Sequence, residues 1–108
     1  MGKQENADRG PVWTDVSELI TRFERQWGGV WVVSIRPHPG RGRGGDLWVV
    51  CERTIAVGRN GAYKQHRDGG AYPTVDRLSL PSLVSGLLWR VHQQLEDDSR
   101  VAAHQSSF

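Results

Sequence analysis

The hydrophobic pattern of this chain changes period at Gly28-Gly29. Before the glycines, Val16, Leu19, Ile20, Phe23 and Trp27 recur at helical spacing and make one apolar stripe. After them the pattern alternates, with Trp31, Val33 and Ile35 on one side and Val30, Val32, Ser34 and Arg36 on the other. A helix that stops on two glycines and turns at once into a strand leads directly into the sheet, which predicts helix-on-sheet packing. Thr14 is placed to cap this helix, with Asp15 and Glu18 in its first turn and Arg22 and Arg25 late, as the helix dipole favours.

The next segments extend the sheet. "PHPGRGRGG" (37–45) reads as a loop, because its prolines break a strand and its glycines have no side chains to hold one. In "LWVVCERTIAV" (47–57), Leu47, Val49, Cys51, Ile55 and Val57 share one face; Trp48, Val50, Glu52, Thr54 and Ala56 share the other. Arg53 falls among the apolar set, which predicts a bend or bulge there, or a partly open face. "GRNG" (58–61) is a hairpin turn, "AYKQHR" (62–67) a polar third strand and "DGG" (68–70) a second turn. Pro73 limits "AYPTVDRL" (71–78) to an edge strand at most.

A last helix, roughly Pro81 to Asp97 and capped by Ser79 or Ser82, buries Leu80, Val84, Leu87, Leu88, Val91 and Leu95. The expected fold class is α+β: an N-terminal helix, a three- to four-stranded antiparallel sheet and a long C-terminal helix. Helices at both ends of one sheet segregate to one face and leave the other free. Residues 1–10 read as a disordered tail, 11–98 as a single domain and 99–108 as a flexible C-terminal tail.

Chemistry-bearing motifs are scarce. The lone cysteine, Cys51, excludes an intramolecular disulfide framework and a cysteine-based zinc site, and reads as a small core residue. His38, His66, His92 and His104 fall on four different segments, so no metal is expected. "GRGRGG" lacks the Lys-Ser/Thr and the following helix of a phosphate-binding P-loop. In "MGKQEN", Asn6 stands where a myristoylation signal needs Ser or Thr. No apolar run approaches the ~20 residues of a membrane span, so no membrane partner is expected. With no catalytic constellation and no cofactor motif, the expectation is a binding protein and not an enzyme.

Charge is distributed unevenly. The net charge is only +2, yet residues 28–67 hold seven Lys/Arg against two Asp/Glu, while both flanks are slightly acidic. A basic middle of this kind fits a surface that meets polyanions. Arg41 and Arg43, interleaved with glycines that let a backbone approach closely, suit phosphate contact, and Arg36, Arg53, Arg59 and Lys64 lie on the neighbouring β segments.

The five tryptophans divide in the same way. Trp27, Trp31, Trp48 and Trp89 sit on predicted elements and read as packing or interface residues. Trp13 precedes the expected cap, where it either staples to Leu19 beside Glu18 or stacks on the end of a duplex.

"PVWTD" (11–15), "WGGVWVV" (27–33) and the terminal "SLVSGLLWRVHQQLEDD" (82–98) together resemble the small RNA-silencing suppressors of tombusviruses, and in length the related aureusvirus suppressor more closely. The similarity covers most of the chain as an order of elements and about a dozen positions as letters. It implies a homodimer whose strands join into one concave sheet that cradles double-stranded RNA in the host cytoplasm, a plant-virus protein that withholds siRNA from silencing. Trp13 matches the first of two family tryptophans that stack on duplex ends; Val16 stands in the place of the second, so binding of longer duplexes is expected. An additional helix that the family carries between its first two strands is replaced by the 37–45 loop.

An open sheet face that reads A-form RNA by shape needs cations, hydroxyls and amides. The expected RNA-binding residues are Trp13, Ser34, Arg36, Arg41, Arg43, Thr54, Arg59, Lys64, Gln65 and Arg67. Two alternatives remain: an interaction module that binds Argonaute through the Trp27-Gly28 dipeptide, and a single-strand binder that stacks bases on Trp31, Trp48 and Tyr63.

Overall fold

The computed structural model describes residues 11–38, 46–73 and 77–106. The expected N-terminal tail and the stretch holding Arg41 and Arg43 lie outside the described residues. The fold is α+β: helix α1 (Trp13–Trp27), strands β1 (Val30–His38), β2 (Asp46–Val57) and β3 (Ala62–Pro73), and helix α2 (Leu80–Ser106). The strands form one antiparallel sheet in the order β1-β2-β3, so β2 is central and both other strands are edges.

The N-cap of α1 lies two residues earlier than its sequence implies. Val12 is the N-cap, and Asp15 Oδ2 accepts a hydrogen bond from the Val12 N–H at 3.1 Å. An acid in the first turn thus satisfies the end that Thr14 was expected to cap. Gly28, with φ 68°, ends the helix. Both helices pack on one face of the sheet, and Val16, Phe23, Trp31, Val49, Cys51, Val84, Leu87, Leu88, Val91 and Leu95 form the core between them.

Phe23 is fully buried, stacked on His92 at 4.7 Å and close to Trp31 at 5.3 Å and Trp89 at 5.1 Å. Trp27 Nε1 donates to His92 Nδ1 at 2.9 Å. An indole N–H is donor only, so His92 accepts at Nδ1, carries its proton on Nε2 and gives it to Glu96 Oε1 at 2.7 Å.

Four local expectations are corrected. β2 runs straight through Arg53 with continuous pairing on both sides, without a bulge. Arg53 is buried because its guanidinium finds partners inside the fold. Its Nη2 donates to Trp27 O at 2.6 Å and its Nε to Gly28 O at 3.2 Å. It caps the negative end of the α1 dipole and ties that end to the central strand. The "DGG" segment is not a turn: β3 continues through it, which makes three strands where four were possible. Gly69, at φ 135°, explains this, since a Cβ there would run into Val49 O. A glycine lets the β3 backbone lie against β2 and stay paired.

Pro37 and His38 belong to β1, opposite Leu47 and Asp46, because an edge strand tolerates a proline. Helix α2 runs to Ser106 where an end near Asp97 and a flexible tail were expected. Ser79 stands just ahead of α2, its carbonyl accepting from Leu83 N at 3.0 Å.

Candidate nucleic-acid interface

The face of the sheet turned away from the helices carries the candidate site. Strand pairing sets it out in rows across β1, β2 and β3: His38–Asp46–Pro73, Arg36–Trp48–Ala71, Ser34–Val50–Gly69, Val32–Glu52–Arg67 and Val30–Thr54–Gln65. Val30, Val32, Arg36, Gln65 and Arg67 are exposed, and among the described residues none on this face other than Val50 is buried.

Of the sequence candidates, Ser34, Arg36, Thr54, Gln65 and Arg67 share this face. Arg36 and Arg67 stand diagonally, about 16 Å apart from strand spacing and rise, so they reach different stretches of a phosphate backbone. Beside Arg67, Gln65 Nε2 donates to Glu52 Oε2 at 2.8 Å and to Thr54 Oγ1 at 3.2 Å. Hydroxyls, an amide and a carboxylate beside two cations can pair with ribose 2′-hydroxyls and phosphates across a shallow groove. Glu52 repels phosphate but accepts from a 2′-hydroxyl, a contact that DNA does not offer.

Lys64 is not part of this set. Strand alternation turns it to the helix side, where its Nζ lies 3.5 Å from Asp98 Oδ2 on α2. Beside it buried His66 meets the same carboxylate oxygen, Nε2 to Oδ2 at 2.6 Å. The His66 hydrogen bond, with help from the Lys64 charge, holds the Asp98 carboxyl below its usual range. Lys64 and Gln65 are adjacent on a strand and cannot serve one face together.

Arg53 is likewise withdrawn, buried with its fork on the α1 carbonyls; burial lowers its pKa. Arg59 occupies the 58–61 turn at the tip of the β2–β3 hairpin, exposed but beyond the rows. Trp13 is the first residue of α1 and about half exposed at 47%. Val16 is buried at 4%, so α1 turns that position into the core.

Glu52 on the open face escaped the sequence reading of the site, and the half-buried Trp48 entered it only as a stacking ring for single strands. The parity of β2 that puts Thr54 on this face puts both of them there too. Trp27 and Gly28 are committed within the fold: the Trp27 indole N–H goes to His92, and the Trp27 and Gly28 carbonyls to Arg53 and Trp31. Cys51 is fully buried, its thiol 3.8 Å from Val84 O and its pKa pushed up to about 12 by burial and by Asp68. Among the described residues no cluster of His, Cys, Asp and Glu could hold a metal ion, and no helix is long and apolar enough to cross a membrane. Compared with known families, curated proteins and solved structures, the chain gives no match.

Proposed function

We propose that this chain is a sequence-independent double-stranded RNA-binding protein, a viral suppressor that acts as a homodimer in the host cytoplasm to sequester silencing RNAs. It performs no catalysis and needs no cofactor. The observation that carries the reading is the uncovered sheet face on which Ser34, Arg36, Thr54, Gln65 and Arg67 stand together. The resemblance of "PVWTD" and "WGGVWVV" to the tombusvirus and aureusvirus suppressors supports it further. Three strands span only about 10 Å between their outer axes, narrower than a duplex, and β1 and β3 are the edge strands. A second copy that extends the sheet doubles the cradle.

The single-strand alternative has less support. Of its three rings, Trp31 is buried on the helix side, while Trp48 and Tyr63 share the open face. From the pairing, those two stand eight rungs apart, more than about 20 Å along the sheet, so they make no continuous stacking platform. The Argonaute alternative requires Trp27 to leave its bond to His92.

Mobility shifts with duplex and single-stranded RNA test the proposal. Duplex affinity should fall linearly on a log–log salt plot, and Arg36→Ala or Arg67→Ala should each reduce the slope by about 1. Lys64→Ala should leave the slope in place. Equal binding of single and double strands would overturn the reading.

A further inference from the structure

At one end of the open face Arg36, Pro37, His38 and Trp48 line a recess of about 300 Å³. That is the bottom of the range for small-molecule sites, roughly 300–1,000 Å³, and matches one nucleotide, not a helix. The His38 and Trp48 rings stack beneath it, centroids 5.7 Å apart and planes 22° from parallel. Arg36 lies directly across the strands from Trp48, and Asp46 directly across from His38. His38 Nδ1 is buried without a hydrogen-bond partner among the described residues.

We infer that this recess takes a single unpaired nucleotide, at the end of a duplex or bulged from it, with the base stacked on Trp48 and the phosphate on Arg36. The inference rests on the duplex-binding reading and deepens it. A flat half-buried indole held by a second ring is a stacking surface for any base, because every base presents a π face. Arg36 supplies fork donors for a phosphate oxygen one strand away. Asp46, on the His38 side, keeps the phosphate at the Arg36 end and leaves the other end to N–H groups of the base. The unpartnered His38 nitrogen gains a donor if the ring turns when the base enters. A blunt duplex lying across the rows of the sheet has no splayed base to offer, so the recess adds affinity only where a nucleotide is free.

The test uses the full chain and two probes. In 1H–15N spectra, guanosine 5′-monophosphate should shift the Trp48 indole resonance, assigned through Trp48→Phe, and ribose 5-phosphate should not. In anisotropy titrations a duplex with unpaired 3′ nucleotides should bind about tenfold tighter than its blunt counterpart, from one stacked base. Trp48→Ala should abolish that difference, read as the ratio of the two affinities within the variant, and His38→Ala, which leaves the indole in place, should reduce it. If the blunt duplex binds and unpaired nucleotides add nothing, the recess is not a nucleotide site and the duplex reading stands. If no duplex binds but the mononucleotide moves Trp48, the recess stands and the duplex reading falls. An unmoved Trp48 indole at millimolar mononucleotide overturns the inference.

Discussion

Replacing Arg53 by methionine separates structural from RNA-binding cations. The aliphatic stem is kept and only the fork is lost. The fork donates at 2.6 Å to Trp27 O and at 3.2 Å to Gly28 O. Gly28 O keeps the Trp31 indole at 3.1 Å, so Trp27 O is the acceptor left without this partner at a half-buried helix end. A hydrogen bond from a charged donor contributes about 1.5–3 kcal/mol, and a cation at a partly buried helix C-terminus up to about 2 kcal/mol. The two overlap, since both describe one guanidinium on the same carbonyls. Removing it should destabilise the domain by about 2–4 kcal/mol, a large part of the roughly 5–15 kcal/mol that holds a small domain folded. Urea unfolding followed by circular dichroism reads the change, and Arg36→Ala serves as the control, expected within about 0.5 kcal/mol of wild type because Arg36 is exposed. Under conditions where both variants are folded, Arg53→Met should bind duplex RNA as wild type does and Arg36→Ala should not. An unfolding midpoint for Arg53→Met equal to wild type would refute the capping role.

Other consequences follow from single contacts. Gly69→Ala should cost more than about 2 kcal/mol in urea unfolding, since its Cβ would run into Val49 O; Gly86→Ala, on α2 with nothing within 4 Å, should cost much less. Asp98 titrates below its ordinary value of 3.8 in the folded chain, so the unfolded chain takes up the proton first. Its contribution to stability is complete above that value and disappears as pH falls through the lower folded one, and Asp98→Asn should flatten the acid limb of a stability–pH curve. Cys51, with its pKa raised to about 12 and no exposed surface, should resist a thiol reagent at pH 8 in the folded state and react once urea unfolds the chain. Nitrogen chemical shifts of His92 should report the Nε2–H tautomer, and Trp27→Phe, which removes the indole donor to Nδ1, should lift that constraint.

Sequence pattern alone determined the order of elements, the buried stripe of each helix and which residues of β1 and β2 share a face. These follow from periods of 3.6 and 2, which are properties of the backbone and need no knowledge of what packs on it. The stop at Gly28, the 58–61 turn and Cys51 as a core residue were legible for the same local reason.

Tertiary structure decided which cations are free. Arg53, Lys64 and Arg67 look alike as letters, yet one caps α1, one faces Asp98 and one lies on the open face. Register across three strands and the path of α2 make that distinction, and both depend on contacts between residues far apart in the chain. The continuity of β3 through Gly69 was hidden for a similar reason: two glycines signal a turn unless a neighbouring backbone lies close enough to require them. Local periodicity chooses a face for each residue, and long-range packing chooses which face the helices cover.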